Sequence, residues 1–317
     1  MIINKNVLIK TFYSFTIFLS SIILLNYYNL GDQFAYRKLY QDIENVNLFQ
    51  SILLAKITIG SDEPIYTTLA WIFSSNHIDK DIFIALFNSF LAYAAISIMQ
   101  LPKFKVSIFI ISIIIFTNFY FIILYLSAER LKFAILFLFL SILFYKSKKS
   151  ILFAFISILT HSEMLAIYIS IFFKEFVINV LWKSIVSHEI NKRIFYLSFL
   201  LIIPIVILQE HILHKLSYFT GLFGIEETIK TFLFFTMSVI YSKNKKETIL
   251  IFIPLFVMII IVGGSRINMI SYFIFLYYAL QVNRGLNMGV LSTSLYFEYK
   301  SMEFVSNVIL YGNGFYK

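Results

Sequence analysis

Residues 150–182 read SILFAFISILTHSEMLAIYISIFFKEFVINVLW, 33 residues of near-continuous apolar character. One ordinary transmembrane helix needs only about 20 residues, so this run is too long for a single crossing. The polar tetrad Thr160-His161-Ser162-Glu163 interrupts it near the middle. The pattern predicts two short helices meeting near His161, a break tolerated at membrane depth only where protein or a cavity lines it.

Working outward, the same apolar signal recurs from end to end. Of the 317 residues, 60% are hydrophobic, 19% aromatic and only 14% charged. Soluble domains run about 45–50% apolar and about 25% charged, so this chain cannot supply a polar skin. A soluble enzyme, a nucleic-acid-binding domain and a disordered chain are excluded. The net charge of +9 does not mark a nucleic-acid partner, because the basic residues cluster in short loops between apolar runs. The absence of cysteine removes disulfides, thiolate metal sites and a cysteine nucleophile.

The fold class that follows is all-α, a polytopic transmembrane helical bundle of about ten spans with broken or re-entrant helices. The spans are Thr11–Tyr28, Ile82–Gln100, Val106–Leu126, Leu131–Tyr145, the two halves of Ser150–Trp182, Ile194–Gln209, Thr231–Tyr241, Thr248–Val262 and Ile267–Val282. Met1–Lys10 reads as the cytoplasmic start of a retained first helix, since no small-residue cleavage site follows. Asn29–Pro64 holds apolar residues at roughly helical spacing and reads as an amphipathic helix on the outer face. Ile65–Ser75 is apolar but short, and reads as a surface or re-entrant helix. Basic loops at Lys103/Lys105, Lys146/Lys148/Lys149, Lys183/Lys192/Arg193 and Lys243/Lys245/Lys246 mark the cytoplasmic side. Both termini then lie inside, together with 16 of the 26 Lys and Arg residues. The expected organisation is a single integral membrane domain over 1–317, with an extracytoplasmic loop at 29–80 and a cytoplasmic tail at 285–317.

This topology puts Asp32, Arg37, Glu63, Tyr66, Glu129, Arg130, His161, Glu163 and Arg266 on one side. Asp32, Glu63, Arg130, His161 and Arg266 each have two readings. An arginine at the end of a span either snorkels to headgroups or binds an anion with its planar fork. Arg266 leans to the second, because Gly263-Gly264 permits close backbone approach and the positive-inside rule gives no reason for an outer Arg. His161 is either a hydrogen-bonded interior histidine or a proton carrier. Asp62-Glu63-Pro64 is an ordinary helix start or brings a catalytic carboxylate, and Asp32 after Gly31 is equally open.

No HExxH or paired-His spacing is present, nor a Walker loop, a dinucleotide glycine motif or GxSxG. There is no arginine ladder or filter sequence, and no matching Gly/Pro-broken helices in the two halves. Neither a metal nor a cofactor is expected.

Gly31-Asp32 with Tyr36 and Tyr40, Glu63-Pro64-Ile65-Tyr66, Arg130 opening a span, Leu159-Thr160-His161-Ser162 and Ser265-Arg266-Ile267 together resemble the EpsG/Wzy family of bacterial surface polysaccharide polymerases, over roughly residues 25–285. The family pattern has small residues after the Glu-Pro and soon after the Arg, where this chain has Ile65 and Lys132-Phe133-Ala134. The resemblance implies a GT-C-type glycosyltransferase in the bacterial cytoplasmic membrane, with its active site facing outward. It would polymerise undecaprenyl-diphosphate-linked oligosaccharide repeat units from membrane lipid into O-antigen, capsule or exopolysaccharide, with a chain-length regulator protein as a partner. On this resemblance Arg130 and Arg266 hold the diphosphate, and His161 contacts a phosphate or shuttles a proton. Asp32 or Glu63 is the general base or an acceptor-sugar ligand, and Tyr66 orients sugar hydroxyls. The competing readings are an O-antigen ligase, which usually has a larger outer loop, a lipid-linked glycan flippase or transporter, and a membrane acyltransferase built on His161.

Overall fold

A chain this apolar must satisfy its backbone polar groups internally, and a helix does so within one segment. The computed structural model describes residues 5–178, 192–219 and 225–316, and among them every regular element is helical and none is a strand. Among the described residues, two helices are long and apolar enough to cross a membrane: Asn6–Tyr27, with mean hydropathy 1.8, and Lys80–Met99, with 2.0. A third candidate is the bent pair Ile108–Thr117 and Phe119–Leu126. These helices mark the chain as membrane-associated. Other runs expected to cross fold as shorter helices, such as Glu129–Leu143 with 15 residues and Lys149–Thr160 with 12. Lys183 lies outside the described residues, as do the side chains of Lys192 and Arg193.

The described chain forms two compact units, 1–161 with 291–317 and 162–290, where the sequence reading has one domain. The first unit contains α1 (Lys5–Tyr27), α2 (Asp32–Asp42), α3 (Leu48–Ile59), α4 (Pro64–Ser75), α5 (Lys80–Met99), α6 (Ile108–Thr117), α7 (Phe119–Leu126), α8 (Glu129–Leu143) and α9 (Lys149–Thr160). Helix α1 packs along α5, α5 against α8, and α8 against α9. Only 17% of the apolar window of α1 is buried; Phe12, Phe15, Leu19 and Ile23 point away from the unit.

Three details depart from the sequence reading. The Val106–Leu126 span is bent by 49° because Asn118 adopts an extended backbone and caps α7, its side chain accepting from Tyr120 N at 3.1 Å. The single amphipathic helix expected over Asn29–Pro64 is two helices, because Asn47 and Gln50 form a capping box that starts α3 anew. The stretch from residue 285 is no separate tail. Helix α16 (Met288–Tyr311) lays Phe297 against Tyr120, with ring centroids 4.7 Å apart, and Phe304 against Tyr28 at 6.1 Å. Gly312 O accepts from Asn29 N at 3.2 Å and Leu30 N at 2.9 Å. Residues joined by these bonds share one end of the unit, so Asn29 outside and the tail inside cannot both hold.

The second unit contains a 3-10 turn (Ser162–Met164), α10 (Leu165–Phe176), α11 (Lys192–Ile207), α12 (Gln209–Phe219), α13 (Ile225–Tyr241), α14 (Lys245–Val262) and α15 (Gly264–Ala279). Its core joins Ala166, Phe252, Leu255, Ile259, Ile267 and Ile270. As the sequence predicts, the helix before His161 stops there: the residue has φ −155° and ψ 115° and terminates α9.

Candidate functional site

In the first unit, the ends of five helices bring charged side chains together. Glu63 is the N-cap of α4, with Pro64 at the first helical position. Its side chain is fully buried. Arg130 Nη1 donates to its Oε2 at 2.8 Å, and Ser61 Oγ to the same oxygen at 3.2 Å. His161 Nδ1 lies 2.9 Å from Oε1 and 3.1 Å from Oε2. A carboxylate only accepts, so Nδ1 carries a proton and donates it. Arg130 Nε also donates to Tyr36 Oη at 3.2 Å. Burial pushes the Tyr36 phenol above its ordinary range, and the neighbouring Arg130 charge opposes this only in part. Tyr36 stays a neutral hydroxyl.

A second network adjoins the first through the edge-to-face rings of Tyr36 and Tyr66, 5.7 Å apart. Glu129, next to Arg130 in the chain, accepts from Tyr66 Oη at 2.7 Å and from Lys80 Nζ at 2.6 Å. Lys80 also donates to Gln33 Oε1 at 2.7 Å, and Gln33 Nε2 to Leu126 O at 2.6 Å. Beneath lies an aromatic cluster: Phe133 meets Phe87 at 4.5 Å, Phe83 at 5.5 Å and Tyr66 at 5.7 Å. Such pairs contribute about 0.5–1.5 kcal/mol each beyond their burial. They fix the first turns of α4, α5 and α8 under the charges.

Helical spacing explains the placement. Gln33, Tyr36 and Tyr40 share the buried face of α2. Glu63, Tyr66 and Thr67 share that of α4, and Glu129 and Lys132 that of α8. Four of the contributing ends are helix N-termini, whose partial positive charge favours acidic groups and anions.

Of the residues singled out in the sequence, Glu63, Arg130 and His161 touch, and Tyr66 stands in the adjoining network. Asp32 is exposed at the start of α2, and its neighbour Gln33 holds the buried position instead. Arg266 belongs to the second unit, where Nη1 donates to Glu163 Oε1. There, too, Thr231 Oγ1 donates to Asn268 Oδ1 at 2.6 Å, and Asn268 to Glu227. A Cβ on Gly264 would overlap the Glu227 side chain, so the close approach at this glycine is to a carboxylate side chain of the same unit. Sequence reasoning missed Gln33, Lys80 and Lys132. The visible signal for Lys132 was a third charge within four residues, Glu129-Arg130-Leu131-Lys132, at the mouth of an apolar run. Among the described residues no group of three or more acidic or histidine side chains is placed to hold a metal.

Compared with protein-family models, with curated proteins and with solved structures, the chain matches none.

Proposed function

We propose that the chain is a membrane glycosyltransferase that polymerises polyprenyl-diphosphate-linked oligosaccharides at the outer leaflet of the bacterial cytoplasmic membrane, in the manner of the EpsG/Wzy polymerases it resembles. The observation that carries this reading is the buried contact of Glu63, Arg130 and His161, which come from three separate stretches of an apolar chain. Buried ionisable groups at membrane depth are costly and usually functional.

In the proposed reaction, an acceptor-sugar hydroxyl attacks the anomeric carbon of the donor. The new C–O bond forms as the bond to the diphosphate oxygen breaks, and its electron pair leaves on the diphosphate. The hydroxyl proton passes to His161 Nε2 as general base. Glu63 on Nδ1 holds the tautomer and stabilises the imidazolium that results. Arg130 offers planar donors to the charge developing on the diphosphate. Tyr36 and Tyr66 frame the sugar. Asp32 is not carried forward as the base, since it is exposed and Glu63 is the carboxylate on the histidine. A phosphate role for Arg266 is tested by Arg266→Lys, which keeps the charge and loses the fork.

The test is deletion of the gene, followed by electrophoresis of the surface glycans. The reading predicts loss of the polymer ladder with a single repeat unit still on the lipid anchor. Loss of the single unit as well would indicate ligation, export or an earlier step, and would overturn the polymerase reading.

A further inference from the structure

Apart from the Glu63–His161 contact, the first unit holds a cavity of about 270 Å³. Sites for drug-sized ligands run about 300–1,000 Å³, so this one suits a single small ring. Its lining carries both signs of charge, Arg37 and Lys80 against Glu44 and Asp79. These groups are already engaged. Arg37 pairs with Asp81 at 2.9 Å, Lys80 with Glu129 at 2.6 Å, and Glu44 Oε1 meets His77 Nδ1 at 2.5 Å. Asp79 caps α5, its Oδ1 accepting from Asp81 N at 2.8 Å and Ile82 N at 3.1 Å. What the lining still offers is hydrogen-bonding capacity. Among the described residues, Arg37 Nε, Asp79 Oδ2, Glu44 Oε2 and the Gln41 amide make no hydrogen bond. The first donates, the next two accept, and the amide does both. The apolar part of the lining is the Tyr40 ring and Ile78. Tyr40 is held in place: Oη donates to Ile78 O at 2.8 Å, and the ring stacks on Phe83 at 5.9 Å. A fixed aromatic ring among mixed donors and acceptors complements a sugar, whose C–H face is apolar and whose hydroxyls both donate and accept. The cavity also adjoins the proposed reaction centre. Lys80 lines it and bonds Glu129, and Tyr36, which Arg130 meets, lies one turn before Tyr40 on the buried face of α2.

We infer that this cavity is a subsite for one uncharged sugar residue of the glycan, beside the residue that reacts. Tyr40 carries the ring, and Arg37, Gln41, Glu44 and Asp79 take its hydroxyls. The inference rests on the glycosyltransferase reading for the place of that sugar in the repeat unit; sugar binding itself stands without it.

The experiment titrates the full chain in detergent micelles with oligosaccharides released by mild acid from the surface glycan of the host, and reads binding by saturation-transfer NMR. The site predicts saturable binding that inorganic diphosphate does not displace at equal ionic strength. Two variants locate it. Gln41→Trp, on the exposed surface of α2, should block the cavity. Asp79→Asn keeps a good helix cap and turns the spare acceptor into a donor. Each should weaken binding at least about tenfold, with the Tm of the unliganded protein close to wild type as the check on folding. Loss in either folded variant supports the site. No binding by wild type, displacement by diphosphate, or unaltered binding in both variants overturns it. The two readings fail separately. If the deletion collapses the polymer ladder to a single unit yet the protein binds no oligosaccharide, the polymerase reading stands and the subsite falls. If the variants lose binding yet the deletion strain keeps its ladder, the sugar site stands and the polymerase reading falls.

Discussion

Glu63 is where three polar groups depend on one carboxylate. Arg130, His161 and Ser61 all meet it within 3.2 Å. Glu63→Ala would take from a guanidinium that is only 12% exposed a carboxylate that it meets at 2.8 Å. Breaking one side of a buried pair costs about 3–5 kcal/mol. Unfolding in mixed micelles should show that loss, and the Glu63→Ala/Arg130→Ala double variant should recover part of it, with a coupling of about 0.5–3 kcal/mol. Strict additivity would mean the contact carries no energy. These residues were legible in the sequence because a charge inside an apolar stretch is conspicuous. Gln33 and Lys80 were not, because their roles depend on a neighbour 93 or 49 positions away. Asp32 misled for a related reason: a carboxylate draws notice, but Gly31, with φ +62°, starts α2 so that Gln33 takes the buried face.

At the scale of elements, small residues decide where helices break and how closely they approach. Asn118 should be the cause of the bend between α6 and α7. Asn118→Ala should cost about 1 kcal/mol through loss of the cap, and Asn118→Gly only a few tenths. Equal losses in both variants would assign the bend to packing. In the second unit, Gly264→Ala should cost about 1–3 kcal/mol because the new methyl displaces the Glu227 side chain. A neutral result would mean that α13 and α15 shift apart freely. The break at His161 could be read from length alone, since 33 apolar residues exceed one crossing. The bend at Asn118 could not, because Val106–Leu126 has the length of an ordinary span. Only a capping reading of Asn118 would have found it.

For the whole molecule, the helical class and the membrane-length helices were legible in composition, and the course of the C-terminal segment was not. Residues 285–317 are only weakly amphipathic, with Leu295, Phe297, Met302, Phe304 and Val308, a pattern that names no partner for that face. Yet Phe297 and Phe304 on one face dock it onto α7 and Tyr28. Because the chain contains no cysteine, the consequence is directly measurable. Single-cysteine variants at the exposed Leu30 and Tyr316 should react with a membrane-impermeant maleimide from the same side, and one at Lys148 from the other. Labelling of positions 30 and 316 from opposite sides would refute the docking of α16.

The central claim is that the Glu63–His161 pair performs glycosyl transfer. Its most direct test is complementation of the deletion strain with Glu63→Gln, with the amount of variant protein in the membrane matched to wild type. Glutamine keeps the shape and can still accept from Arg130, but it removes the negative charge that stabilises an imidazolium. The account predicts collapse of the polymer ladder to a single repeat unit, with that unit still delivered to its anchor. A full-length ladder from Glu63→Gln would contradict it.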